Sequence, residues 1–236
     1  MRREEIDGVL VFGHHGRPVL VFPAQESNRY EWEERGMLAA VAGLVDAGRV
    51  KLYCVDSWDS SIWHDDWLSL EERARRHGGY EAWLLEHVVP LIHTDCRGFQ
   101  EILTTGVSFG AYHAANLTLR RADVFPLAIC LSGIYDVAGL GWGERGEAVY
   151  FNNPADFVGG LHGDHLEWLR SQANLVLVVG RGAWEDSTGS LDQTHRFAAL
   201  LAEKGLRHEL DVWGEDSPHD WPAWRAQIAH HLPRFA

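Results

Sequence analysis

The sequence predicts an α/β protein with a mainly parallel central sheet and helices on both faces. Two observations carry that prediction. Short runs rich in Val, Leu and Ile recur along the chain and are too apolar to leave one face wet, as strands buried on both sides require. Stretches with helical spacing of apolar residues separate most of them, and that alternation is the signature of a parallel sheet covered on both faces. No repeat, linker or low-complexity segment interrupts the pattern. The 236 residues therefore read as one domain over 1–236, long enough for a sizeable core.

In order, Val9 to Phe12 and Pro18 to Phe22 are apolar runs separated by His14-His15-Gly16-Arg17, a hairpin-like opening. Gly36 to Ala47 has helical periodicity and stops near Gly48. Val50 to Val55 reads as a buried strand, and a polar, Trp-rich loop from Asp56 to Leu70 follows. Tyr80 to His93 carries Trp83, Leu84, His87, Val88 and Leu91 at helical spacing. Ile102 to Thr105 is a strand entering a tight turn, with a helix from Phe109 leaving it, and Phe125 to Gly133 is the next strand. Residues 134–170 lose periodicity and are rich in Gly, Asn, Asp and Trp, so they read as an excursion over the carboxyl ends of the strands. Leu175 to Gly180 is a strand, Leu191 to Lys204 a helix stopped by Gly205, His208 to Trp213 the last strand and Trp221 to Leu232 the closing helix.

Composition narrows the function classes. Hydrophobic residues make up 46% and charged residues 23%, an ordinary globular mix that argues against disorder. A formal charge of −13 disfavours nucleic acid or an anionic membrane as partner, since both would repel the chain. Cys54, Cys96 and Cys130 are too few and too odd in number for a disulfide framework. No apolar segment behind Met1-Arg2-Arg3-Glu4-Glu5-Ile6-Asp7 is long enough for a secretory signal, and none approaches a membrane span, so a cytoplasmic location is expected. Among 11 tryptophans, Trp58, Trp63 and Trp142 lie in loop-like stretches and suggest an aromatic-walled cleft.

The chemistry centres on Gly106-Val107-Ser108-Phe109-Gly110. A Gly-x-Ser-x-Gly turn between a buried strand and an Ala-rich helix is the context in which a serine sits on a strained turn as a nucleophile. The residues two positions either side must be small, because strand and helix backbones nearly touch there. A serine hydroxyl requires a base within hydrogen-bond reach. On such a sheet an acid and then a histidine follow the serine in the chain. His219 stands in the loop after the last strand, within Asp216-Ser217-Pro218-His219-Asp220-Trp221-Pro222. The acid should follow the strand ending at Gly180, where Glu185 and Asp186 are adjacent; spacing does not choose between them.

At these residues a resemblance emerges. Gly106-Val107-Ser108-Phe109-Gly110-Ala111-Tyr112-His113-Ala114-Ala115-Asn116 is similar to the elbow of the esterase branch of the α/β-hydrolases, which includes esterase D, feruloyl esterases, enterochelin esterases and antigen-85-like mycolyltransferases. Gly180-Arg181-Gly182-Ala183-Trp184-Glu185-Asp186, Asp211-Val212-Trp213-Gly214 and Pro218-His219-Asp220-Trp221-Pro222-Ala223-Trp224 look closer still to a bacterial subgroup of that branch. The likeness runs from about Pro18 to the C-terminus. It implies an α/β-hydrolase fold, Ser108 as nucleophile, His219 as base and Glu185 as the favoured acid, with Asp186 left open. It also implies an oxyanion hole with one backbone donor at Gln25, the other being Phe109, the residue after the nucleophile. The chain departs from the family in that loop, carrying Glu26-Ser27-Asn28 where glycine is usual.

The expected activity is hydrolysis of a small-molecule carboxylic ester through an acyl-enzyme, with no cofactor. His113, one helical turn from the elbow, reads as packing. His14-His15 and His162-Gly163-Asp164-His165 lack the spacing of a metal site, so no metal is expected. Two alternatives stay open: an acyltransferase or thioesterase of the same superfamily, and a non-catalytic hydrolase-like binding module. Self-association as a homo-oligomer also stays open.

Overall fold

The computed structural model describes residues 1–141 and 144–236. Its strands are β1 (Arg3–Ile6), β2 (Val9–Phe12), β3 (Arg17–Phe22), β4 (Val50–Cys54), β5 (Leu103–Val107), β6 (Leu127–Leu131), β7 (Asn174–Val179) and β8 (Arg207–Val212). They form one sheet in the order β1-β2-β4-β3-β5-β6-β7-β8. Pairing is antiparallel for β1 with β2 and β2 with β4, and parallel from β4 across to β8. The helices are α1 (Glu31–Glu34), α2 (Met37–Asp46), α3 (Leu70–Trp83), α4 (Val89–Asp95), α5 (Phe109–Arg120), α6 (Glu147–Asn152), α7 (Pro154–Gly160), α8 (Gly163–Gln172), α9 (Ser190–Glu203) and α10 (Trp221–His231).

The central strands β3, β4, β6 and β7 each feed two cores, because successive side chains point to opposite faces. Leu20 and Phe22 of β3 join one core, with Ala111, Tyr112 and Ala115 of α5 and Phe197 and Leu201 of α9. Val19 and Val21 join the other, with Met37, Leu38 and Val41 of α2 and Trp224 and Ile228 of α10. The sheet's two outer strands, β1 and β8, carry charged and half-exposed residues, which discourages pairing with another chain. No helix among the described residues is long and apolar enough to cross a membrane. Cys54 and Cys130 are fully buried free thiols, and burial pushes both thiol pKa values up.

Two sequence expectations are corrected. Val9–Phe12 and Pro18–Phe22 are not a hairpin: β4 lies between them, and the tight hairpin is β1–β2, turning at Asp7-Gly8 with φ of 47° and 81°. The helix expected from Tyr80 begins at Leu70, capped by the Ser69 hydroxyl, which accepts from the Glu72 amide at 3.2 Å. It widens into a π turn over Leu84–Val88 just before Pro90. That proline has no N–H for the helical ladder, and a wider turn absorbs the mismatch. The described residues between 134 and 170 fold as a 3₁₀ turn over Val137–Gly141, then α6, α7 and the greater part of α8.

Helix α3 carries a buried histidine. His77 is 3% exposed, accepts a hydrogen bond at Nδ1 from Trp63 Nε1 at 3.3 Å, and packs against Tyr80, Tyr112 and His113. Burial holds its pKa well below the ordinary histidine value, and His113 and Arg120 push it the same way. Unfolding therefore takes up a proton once the pH falls through the unfolded value near 6.5, and the fold loses the stability it has above it. One proton taken up gives a slope of about 1.4 kcal/mol per pH unit. The urea midpoint is expected to fall as the buffer goes from about pH 7.5 to about pH 5, and His77→Asn, which keeps an acceptor, should flatten that fall. An equal fall in both proteins would assign it to other groups.

Candidate active site

Ser108 stands between β5 and α5 with φ 53° and ψ −121°, a conformation that costs a residue with a side chain of order 1–3 kcal/mol. The turn is held by the Ser108 amide donating to Leu131 O of β6 at 2.8 Å. It closes only without side chains at 106 and 110. A Cβ on Gly106 would lie 2.3 Å from the Gly110 carbonyl carbon, and one on Gly110 would lie 2.3 Å from Pro23 O. The strain lifts the hydroxyl off the carboxyl end of β5, at the N-terminus of α5, where the amides of the first turn have no acceptor inside the helix.

His219 lies in the loop between β8 and α10, with its amide bonded to Ala183 O at 2.9 Å. Its Nε2 is 3.1 Å from Ser108 Oγ and its Nδ1 is 3.0 Å from Glu185 Oε2. With a proton on Nδ1 for the carboxylate, Nε2 is left to accept the serine proton. The loops that bring these residues together touch backbone to backbone: a Cβ on Gly180 would meet Ser217 O at 1.9 Å, and one on Gly182 would meet Pro218 N at 2.7 Å. Glycine at both positions is what lets the loop after β7 reach the loop after β8.

Glu185 is fully buried, so its charge depends on hydrogen bonds rather than water. Its second oxygen, Oε1, accepts from Ser132 Oγ at 2.6 Å and from the Gly180 amide at 3.2 Å. The Ser132 hydroxyl in turn accepts from Trp224 Nε1 at 3.0 Å, and the Trp224 ring meets the His219 ring edge-on at 4.9 Å between centroids. Asp186 is exposed to solvent beside this assembly. The sequence does not single out Ser132 or Trp224 as a site residue. The available signals were Ser132 ending the strand beside the elbow and Trp224 recurring within Trp221-Pro222-Ala223-Trp224.

Gln25 and Phe109 come from two elements that abut at the elbow. Phe109 is the first residue of α5, and the loop after β3 reaches α5 where Pro23 O faces Gly110. That loop turns at Ala24–Ser27, closed by the Ser27 amide on Ala24 O at 3.2 Å, with Glu26 in the left-handed region at φ 55°. The turn therefore adopts the conformation glycine favours without having glycine. The buried Glu31 carboxylate supports it, accepting from the Ala24 amide at 2.7 Å; burial raises that carboxyl's pKa and the amide pulls it down.

Trp63 is fully buried against Phe109, Tyr112 and His77, so it packs beneath the elbow helix instead of walling an open cleft. Trp58 is 38% exposed and packs on Tyr80 and Trp83. Trp142 lies outside the described residues. Among the described residues, Asp211, His230 and His231 bring possible metal-ligand atoms within 4.8 Å of one another. Both nitrogens of His231 are already engaged, at 2.9 Å by Asp211 and 3.0 Å by the Arg234 guanidinium. A cation so close to the cluster opposes a metal, and the group reads as the anchor of α10 on β8.

Comparison with known proteins fits this geometry. Residues 30–235 match the Esterase family model, described as “Putative esterase”. No curated protein sequence matches the chain. Among solved structures, a ferulic acid esterase superposes with a TM-score of 0.73 at 18% identity, over 96% of this chain and 90% of the other. An S-formylglutathione hydrolase from Agrobacterium tumefaciens gives 0.72 at 12%, over 99% and 92%. The fluorophosphonate-binding serine hydrolase F of Staphylococcus aureus gives 0.67 at 12%, over 99% and 96%. These likenesses establish the α/β-hydrolase fold, and the family match covers most of the sequence. The chain belongs to the Esterase family and is a carboxylic ester hydrolase.

Proposed function

We propose that the chain cleaves a small-molecule carboxylic ester by two-step acyl transfer, with Ser108 as nucleophile, His219 as general base and Glu185 as the acid that orients it. The observation that carries this reading is the unbroken chain from Ser108 Oγ through His219 to the buried Glu185, at 3.1 and 3.0 Å. His219 takes the Ser108 proton as Oγ attacks the ester carbonyl, and Glu185 stabilises the imidazolium that forms. The amides of Gln25 and Phe109 hold the negative oxygen of the tetrahedral intermediate. Each such donor is worth on the order of 10²–10³ in turnover. His219 then protonates the leaving alcohol, the acyl group stays on Ser108, and the same base activates water to release the acid. No step draws on a cofactor. Transfer of the acyl group to an alcohol or amine in place of water is the same chemistry with a different second nucleophile.

A strained, buried and fully connected Ser–His–Glu arrangement costs stability that a passive binding module would have no cause to keep. A fluorophosphonate probe with intact-mass readout is expected to give one adduct on the wild type and none on Ser108→Ala. An adduct that persists in the variant, or none on folded wild type, rejects the nucleophile. Glu185→Gln should lower kcat by on the order of 10³-fold or more, because an amide no longer fixes the productive tautomer. Asp186→Asn, with an exposed side chain, should stay within about twofold. Equal small effects would place the orienting acid elsewhere.

A further inference from the structure

We propose that the segment 56–64 is a brace that sets the spacing of the two oxyanion donors, with the buried Asp59–His113 pair as its pin and Asp59 and His64 as positioning residues. This rests on the reading that the Gln25 and Phe109 amides form the oxyanion hole. Those amides belong to separate elements, the loop after β3 and the first turn of α5. Something must hold the loop at a fixed distance from the helix, because the left-handed Glu26 makes the loop a strained one.

The brace touches both elements. On the helix side, His113 of α5 meets Asp59 through Nε2 and Oδ1 at 2.9 Å, with the residues only 2% and 1% exposed. The ring of His113 is enclosed by Phe22, Tyr80, Phe109 and Tyr112, so it has little freedom to turn away. On the loop side, the Ser57 amide donates to Ser27 O at 3.1 Å. The Asp56 carboxylate accepts from the Arg29 amide at 3.0 Å and from Arg29 Nη1 at 2.6 Å. Asp59 therefore links a loop-holding pair of residues, Asp56 and Ser57, to the nucleophile helix.

The same residue also hangs the next turn. Asp59 O accepts from the Ile62 amide at 3.1 Å and the His64 amide at 2.8 Å. That carries His64 to the junction of the two donors. Its ring lies edge-on to Phe109 at 5.3 Å, and its Nδ1 faces the Gln25 side-chain amide at 3.4 Å. One side chain thus touches both Gln25 and Phe109, the two residues whose backbone amides are assigned to the oxyanion. Among the described residues neither Asp59 nor His64 hydrogen-bonds to Ser108, His219 or Glu185, so the brace acts on the oxyanion side alone. The second carboxylate oxygen of Asp59 is buried with no partner among the described residues, a cost retained at a position that packing alone would fill with an apolar residue.

The test compares Asp59→Asn and His64→Leu with wild type in ester hydrolysis and in fluorophosphonate labelling. Asp59→Asn keeps the shape and removes the charge; His64→Leu keeps an apolar contact on Phe109 and removes the acceptor facing Gln25. A misplaced donor should cost less than a deleted one, so kcat is expected to fall about 10- to 100-fold for Asp59→Asn and several-fold for His64→Leu. KM should stay within about threefold, and the acid limb of the kcat/KM pH profile should not move, because His219 and Glu185 are untouched. His64→Asn, whose carbonyl oxygen takes the place of Nδ1, should recover most of the loss. His64→Leu combined with Gln25→Ala should cost less than the sum of the two alone. Folded variants with wild-type kcat and labelling rate, or a lower melting temperature as the only change, would overturn the brace and leave the Ser108 reading intact. A folded wild type that takes no label would overturn both. Additive effects in the double variant would remove His64 from the brace.

Discussion

The close approach of three backbones at Ser108 is the constraint on which the rest of this structure depends. β5 must end against the first turn of α5, and that turn must in turn press on the loop after β3 at Pro23. Only glycine at 106 and 110 permits both contacts. The outcome is a serine held at φ 53° at the carboxyl edge of the sheet, with its amide tied to β6. The strain is sustained because the elements around it are the most buried in the molecule. Nearly every residue of α5 lies in the interior, and β3 and β6 pack apolar side chains on both faces.

A second constraint is the buried charge of Glu185. A carboxylate with no exposure to water must find its stabilisation in fixed dipoles. Here Ser132, the Gly180 amide and the His219 ring provide it, and Trp224 fixes Ser132. Glu185, His219 and their supports come from the ends of β6 and β7, the loop after β8 and α10. Their convergence is a property of strand order: β5, β6, β7 and β8 are consecutive parallel neighbours, so their carboxyl ends deliver successive loops to one edge. The interlocked contacts at Gly180 and Gly182 then draw the last two loops together.

The supports of His219 are separate from those of the loop after β3. His219 and Glu185 depend on loops after β7 and β8. The loop bearing Gln25 depends on Glu31, and on Arg29 and Ser27 joined to Asp56 and Ser57. α5 lies between the two groups and presents Ser108 and Phe109 at its start. Its interior face is aromatic, with Phe109, Tyr112 and His113 packed on Trp63, His77 and Tyr80. The polar members of that cluster, His77 and His113, are buried on the interior side of α5.

The sequence by itself determined whatever depends on local rules. Strand runs apolar on both faces mean a covered sheet. Glycines flanking a serine between strand and helix mean a strained turn, and a histidine between the last strand and last helix means a polar group at the sheet's edge. Other features required the tertiary structure. Strand neighbours were one: β2 and β3 are equally apolar, and nothing local says that β4 inserts between them. The start of α3 was another, because Glu71–Gly79 is charged and glycine-containing and is helical through burial of Leu70, Arg73, Ala74 and His77. Glu185 and Asp186 are adjacent and chemically alike, and only the fold turns one inward to His219 and leaves the other in solvent. Ser132, Trp224 and Asp59 likewise owe their places to contacts between residues 53 to 92 positions apart, a separation over which sequence pattern carries no information about distance.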